Sequence, residues 1–305
     1  MYDIIGDIHG QADELEQLLK KLGYQHNGTA YRHPERRVIF VGDFIDGGRQ
    51  QHRVVEISRA MVESGTALAV IGNHEFNAIC YATPADNGDY LRSHTKPKNT
   101  RDHQEFLDEF PFGSPEHQEV IGWFRTLPLF LDLGDLRIIH AVWHHPSFDA
   151  VEDWLDENNC LIPEAYRMAS DPNDSLFDAV EHLLKGIEVE LPEGYHFFDK
   201  KQNRRTAARI RWWDEQATHW NNATVGTGKA SLPDQPLPSD IYRYRDAVPL
   251  FVGHYWLKDT PEVLADNVAC VDYSVARVGG KLTAYRWSGE KQLRSENFVW
   301  VERTQ

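Results

Sequence analysis

Three short polar stretches, each following an apolar run, carry residues that could do chemistry: Gly6-Asp7-Ile8-His9-Gly10, Gly42-Asp43-Phe44-Ile45-Asp46-Gly47-Gly48 and Gly72-Asn73-His74-Glu75. His140 and His254 follow apolar runs further on. Pooled, Asp7, His9, Asp43, Asp46, Asn73, His74, His140 and His254 offer carboxylates, imidazoles and an amide, enough for two divalent cations sharing a bridging carboxylate. Imidazole with oxygen donors suits Mn, Fe or Zn, and no cysteine sits among them to suggest a structural thiolate site. Two such cations roughly 3.5–4 Å apart can activate water and clamp both ends of an in-line phosphoryl displacement. Any one stretch alone reads equally well as a β-turn using Asp and Gly for their geometry. No turn demands this combination three times over.

The flanking sequence says what must position these groups. Residues 2–5, 38–41 and 67–71 are short apolar runs that read as buried strands. The first is followed by Leu15, Leu18, Leu19 and Leu22 on one helical face, with acids near that helix's start, lysines near its end and Gly23 after it. The second leads into a helix carrying Val54, Ile57, Met61 and Val62, closed by Gly65, and the third into a helix through Ile79. Consecutive strand-loop-helix units imply right-handed crossovers and a sheet that is at least partly parallel. Ligands then gather at the carboxyl ends of the strands.

Composition narrows the partners. The 305 residues carry a net charge of -15, against general nucleic-acid binding or a membrane-surface role, both of which need a basic footprint. No apolar stretch approaches the roughly 18 residues of a membrane span, and the N-terminus runs straight into a strand without a signal peptide. Cys80, Cys160 and Cys270 are scattered and read as reduced, buried thiols, so the expected location is the cytoplasm.

The remainder divides by pattern. Residues 82–100 read as a loop over the site, 102–110 and 115–126 as helices, and 129–133 with 136–140 as a hairpin ending in His140. From about 146 to 240 the chain reads as a mostly helical insertion, with helical periodicity at 176–184 and 206–220 and a loop over 224–239. Strands at 250–252, 268–272, 281–286 and 298–301 suggest an antiparallel second sheet facing the first.

With GDIHG, GDFIDGG and GNHE in that order, followed by strand-end histidines, the chain resembles the calcineurin-like metallophosphoesterase superfamily. Its motifs look most like the phosphoprotein-phosphatase-type branch, which includes bacterial serine/threonine phosphatases and symmetrical diadenosine tetraphosphate hydrolases. The resemblance runs from Gly6 to His254 and implies one α/β domain over 1–305, a two-sheet α/β/β/α sandwich with the insertion at its mouth. It implies that Asp7 and His9 hold one metal, that Asp43 bridges to the second, and that Asn73, His140 and His254 complete that second site. The two divalent cations would be Mn, with Fe or Zn as alternatives. His74 would then be the general acid, oriented by Asp46, and Glu75 a hydrogen-bonding residue of the loop. His144 or His145 competes with His140 for its place.

One departure concerns the substrate. The branch continues its second motif Asp-Arg-Gly, and that arginine grips phosphate through bidentate hydrogen bonds. Gly47 stands at its position here. Arg49 could reach the same place from a shifted loop, or lie on the surface as a solvated charge. A second arginine, upstream of the final histidine, would be Arg211, with Arg209 behind it; either could instead stack structurally on an aromatic ring. The stretch Asp272-Tyr273-Ser274 reads as core. The resemblance implies hydrolysis of a phosphomonoester, on a phosphoprotein or a small molecule, with a dinucleoside polyphosphate or cyclic-nucleotide phosphodiester as the alternative. A catalytically silent scaffold of the same fold is the third reading. Oligomeric state is not legible.

Overall fold

A computed structural model describes residues 1–198, 203–228 and 232–303; part of the insertion and of the 224–239 loop therefore lies outside the described residues. The chain begins with the three anticipated units. Strand β1 (Tyr2–Ile5) leads to helix α1 (Ala12–Leu22), β2 (Arg37–Phe40) to α2 (Gln51–Glu63), and β3 (Ala67–Ala69) to α3 (Asn73–Ala82). Helix α1 follows from its sequence: Asp13 and Glu14 occupy its first turn and Lys20 and Lys21 its last, opposing the helix dipole. Gly23 closes it in the left-handed conformation. Its buried face is Ala12, Leu15, Leu18, Leu19 and Leu22.

Helices α4 (Pro97–Arg101), α5 (Gln104–Glu109) and α6 (Pro115–Phe124) precede the hairpin of β4 (Phe130–Asp132) and β5 (Arg137–Ile139). The insertion opens with α7 (His145–Val151), α8 (Pro163–Met168) and α9 (Ser175–Lys185), then changes character. Strands β6 (Glu188–Glu190), β7 (Ala207–Ile210) and β8 (Thr224–Val225) form a small antiparallel sheet. The helix expected over 206–220 does not form: a strand occupies Ala207–Ile210 and turns follow to residue 219. Over so few residues both periods fit, and the buried Ala208 and Ile210 alternate with half-buried Ala207 and Arg209 at period two.

The final quarter contains β9 (Leu250–Val252), β10 (Val268–Cys270), β11 (Asp272–Tyr273), β12 (Lys281–Trp287) and β13 (Phe298–Glu302). These strands do not make one antiparallel sheet. In the first sheet the order is β11-β12-β1-β2-β3, with β13 also on β12. There β1, β2 and β3 run parallel, while β12 runs antiparallel to β1. The second sheet has the order β10-β9-β5-β4, and β9 is parallel to both β10 and β5. The chain crosses between sheets at Val271, whose N–H still donates to Val252 of the second sheet before β11 joins the first.

Two apolar layers hold this sandwich. Ile4, Ile39, Ile138, Phe251, Ala269 and Tyr285 pack between the sheets. Their strand neighbours Ile5, Val38 and Phe40 face the opposite way, onto Leu15, Leu18 and Val54 of the helices. Burial on both faces is why the run 38–41 is continuously apolar rather than alternating. Among the described residues no helix is long and apolar enough to cross a membrane.

Candidate metal centre and its cavity

The eight strand-end residues meet at one edge of the sandwich. Three of the loops pass through a conformation that β-branched residues avoid: His9, Asp43, Asp46 and His254 all have positive φ. Two glycines allow the loops to close together. A Cβ on Gly72 would lie 2.2 Å from Oδ1 of Asp43, and one on Gly253 would lie 2.1 Å from Oδ1 of Asp7. Any side chain at either place would push a site carboxylate aside.

Asp43 is the focus. Its Oδ2 lies 3.4 Å from Nε2 of His140, 3.8 Å from Nε2 of His9 and 3.9 Å from Nε2 of His74. The other nitrogen of two of these rings is committed to a backbone carbonyl. Nδ1 of His9 meets the carbonyl of Ile45 at 3.0 Å, and Nδ1 of His140 that of Val41 at 2.7 Å. Such bonds fix which nitrogen faces the centre. Nε2 of His140 also meets Oδ1 of Asn73 at 3.1 Å, and Oδ2 of Asp7 accepts from the N–H of His254 at 3.0 Å.

Several buried atoms here have no hydrogen-bond partner: Oδ1 of Asp7, Nε2 of His9, Oδ2 of Asp43, and both ring nitrogens of His254. Buried polar atoms left unpaired are costly, and these are carboxylate oxygens and imidazole nitrogens, the donor types a divalent cation takes. His9, Asp43 and His74 form one group with ligand atoms close enough to share a metal ion; Asp43, His140 and His254 form another. Asp43 belongs to both. The donor set fits two divalent cations.

Charge follows burial and these neighbours. Burial would raise Asp43, but His140 and His74 outweigh it and hold the carboxyl well below its ordinary value. Burial, then the charges of Asp272 and Asp43, push Asp7 well up. Burial, Arg209 and His140 hold His254 well down. His74 goes the other way: burial opposes its charged form, yet Asp43 and Asp46 lift it to about 9. Cations on Asp43 would offset that carboxylate's share of the pull and leave Asp46 as the main partner. Nδ1 of His74 donates to Oδ2 of Asp46 at 2.6 Å, so its Nε2 faces the centre.

Residues beside the candidate ligands complete the frame. His103, at the start of α5, brings Nδ1 to 3.0 Å from Oδ1 of Asp46. Gln51 accepts from the N–H of Asp46 at 3.0 Å. Glu75 lies wholly buried, accepting from the N–H groups of Asp43, Phe44 and Gly72. His144 and His145 are turned elsewhere, to Ser147 and Asp246.

The centre opens into a cavity of about 1000 Å³. Arg92 and Lys98, from the segment expected to overhang the site, line it together with Arg101 just past that segment. The insertion contributes Lys185, Arg205 and Arg209, and Arg277 comes from the turn after β11. Neither arginine first expected at the substrate is among them. Arg49 is exposed, carried outward where the loop turns into α2. Arg211 is exposed one residue past β7, at the start of a turn closed by the N–H of Asp214 donating to its carbonyl, and lines a separate cleft with Lys258 and Tyr273. Arg209, two residues back on β7, is the one that reaches the cavity; its Nε makes no hydrogen bond but lies 3.7 Å from Oε1 of Glu188.

A family model described as calcineurin-like phosphoesterase matches residues 2–169, which carry the first three motifs and His140. The chain belongs to the calcineurin-like phosphoesterase family. This phosphoesterase, a hydrolase of a family that uses divalent metals, is similar to proteins named asymmetrical bis(5'-nucleosyl)-tetraphosphatase PrpE. It is 44% identical to the one from Oceanobacillus iheyensis over 140 residues, 46% of this chain and 54% of the relative. It is 46% identical to the one from Halalkalibacterium halodurans over 74 residues, 24% of this chain and 30% of the relative. The phosphoesterase thus spans about half or less of the length of these curated relatives. A solved protein serine/threonine phosphatase from Saccharomyces cerevisiae shares its fold, with TM-score 0.51 and 15% identity over 100% of this chain and 79% of that one.

Proposed function

We propose that this phosphoesterase hydrolyses dinucleoside polyphosphates, using the Asp43 centre. The observation that carries the reading is the cavity: about 1000 Å³, lined by His9 and Asn73 of the candidate metal ligands, by His74 and Asp46, and by cations from several segments of the chain. A small phosphomonoester would occupy little of it, whereas a chain of phosphates between two nucleosides needs length and distributed positive charge. Acids also line the cavity, Glu181 paired with Lys185 and Glu188 with Arg205 and Arg209, so Arg92 and Arg277, outside those pairs, are cations open to an anionic substrate. The tetraphosphatase names of the relatives support the same choice. Hydrolysis of a phosphomonoester, including a phosphoprotein, is favoured by the motif pattern and becomes the second reading.

In this reading Asp7 and His9 would hold one divalent cation, Asn73, His140 and His254 the other, and Asp43 would serve both, with Mn as first choice and Fe or Zn as alternatives. The cations supply Lewis-acid polarisation of a phosphoryl oxygen and a nucleophile from water near neutral pH. His74 delivers a proton from Nε2 to the departing oxygen, because Nδ1 is committed to Asp46. Asp46, fixed on its other oxygen by His103, orients that ring. We read 1–305 as one domain whose insertion walls the cavity. Three free buried cysteines support a reducing, cytoplasmic setting.

The test is a substrate panel on Mn²⁺-loaded protein: diadenosine tetraphosphate, bis-p-nitrophenyl phosphate and a phosphopeptide. Fastest turnover of diadenosine tetraphosphate supports the proposal. Turnover of the phosphopeptide alone would replace it with the monoester reading.

A further inference from the structure

Gly47 leaves the second loop without an arginine, and the structure fills the space beside it from another part of the chain. Gly47 has φ 79°. A Cβ built there would come within 3.3 Å of Cβ of Ala276 and 3.6 Å of Cβ of His9. The turn after β11 is therefore packed against this loop, and the next residue along it is Arg277. Its guanidinium carbon lies 4.8 Å from the ring centroid of Trp256, and that ring is 5.4 Å from the imidazole of His9. Arg277 lines the same cavity as His9, Gly47 and His74. It is exposed and, among the described residues, has no carboxylate partner. By contrast, Arg205 and Arg209 both face Glu188.

The mount is built, not incidental. Trp256 has φ 53° and Ser274 φ 63°, backbone conformations that such residues adopt only when held. One buried carboxylate holds both turns. Asp272 accepts from the N–H of Trp256 at 2.5 Å and from that of Ser274 at 2.9 Å, and its own carbonyl accepts from Leu257 at 3.1 Å. Oγ of Ser274 closes the pair by donating to the carbonyl of Leu257 at 3.0 Å. The platform and the cation above it are thus fixed to each other through Asp272. A cation held ready by a ring suits an anionic group arriving beside His9.

The geometry points to Arg277 as a substrate-binding residue that grips an oligophosphate chain beside the His9 side of the centre, in place of the arginine missing at Gly47, with Trp256 as its support. This rests on the phosphoesterase reading of the site, and it names the phosphate chain, not the nucleosides, as what is gripped.

Inorganic tripolyphosphate titrated calorimetrically into the Mn²⁺-loaded full chain tests it without turnover. Arg277→Gln should weaken binding by about tenfold or more, the loss expected for a charge-assisted pair, with Arg277→Lys intermediate and Trp256→Leu also weaker. Arg49→Gln should bind as wild type. Bound Mn²⁺ and melting temperature, measured on each variant, guard against misfolding. Wild-type affinity in Arg277→Gln, a loss in Arg49→Gln instead, or no tripolyphosphate binding by the wild type would each overturn the assignment. If tripolyphosphate affinity depends on Arg277 but diadenosine tetraphosphate is not turned over, the assignment stands and the substrate reading falls.

Discussion

Oε2 of Glu75 accepts a hydrogen bond from the backbone N–H of Asp43 at 2.8 Å. The same oxygen accepts from the N–H of Gly72 at 3.0 Å, while Oε1 takes those of Phe44 and Ile45 at 2.8 and 3.4 Å. One buried side chain therefore joins the loop after β2 to the start of α3. Asp43, Asn73 and His74 are held in register through it. Burial, then the charge of Asp43, raise its carboxyl to about 7.

Removing that brace should cost both stability and metal. Glu75→Ala strands buried N–H donors, so a loss on the order of 3 kcal/mol is expected. Glu75→Gln keeps one acceptor and should lose less. Urea unfolding of the three proteins gives the order; equal midpoints would mean the loops are held by something else.

His103 was not legible as a site residue, yet it fixes one oxygen of Asp46 while His74 takes the other. Burial alone would raise Asp46, but His103 and then His74 hold its carboxyl well below the usual range. His103→Phe keeps the ring stacked on Phe106 and removes the bond. Turnover of the best substrate should fall roughly 10-fold, the scale of lost outer partners, with KM little changed. A change confined to KM would place His103 in substrate binding instead.

A buried histidine outside the site should give the fold an acid limb. His117 of α6 lies among Phe106 and Phe112 with neither ring nitrogen paired. Burial, helped by His103, lowers it to about 4 from an ordinary 6.5. As pH falls through 6.5 the unfolded chain takes a proton that the folded ring refuses. Stability is therefore full above that pH and declines until the folded ring itself titrates near 4. Melting temperatures of wild type and His117→Leu should diverge in slope across this window; parallel curves would assign the acid limb to other groups.

How much could be read beforehand varies with the range of the interaction. The three parallel strands were legible because apolar run, polar loop and helical face follow one another locally in the sequence. Strand-end placement of His140 and His254 followed from the same pattern. His103 and Asp272 were not legible as partners, since their links to Asp46 and to Trp256 span distant parts of the chain. Arg209 and Arg211 sit two residues apart, and only the turn after β7 decides which faces the cavity. The last strands misled for a related reason: short runs separated by turns look antiparallel, whereas the crossing at Val271 sends them to different sheets.

The most direct measurement is the metal content of the full chain, purified without chelator and reloaded with Mn²⁺. Asp43 serves both candidate groups, so two equivalents are expected in the wild type, and Asp43→Asn should retain fewer than about one, with loss of hydrolysis. A wild type that holds fewer than one equivalent after reloading, or an Asp43→Asn protein that keeps both, would contradict a two-cation centre bridged by Asp43.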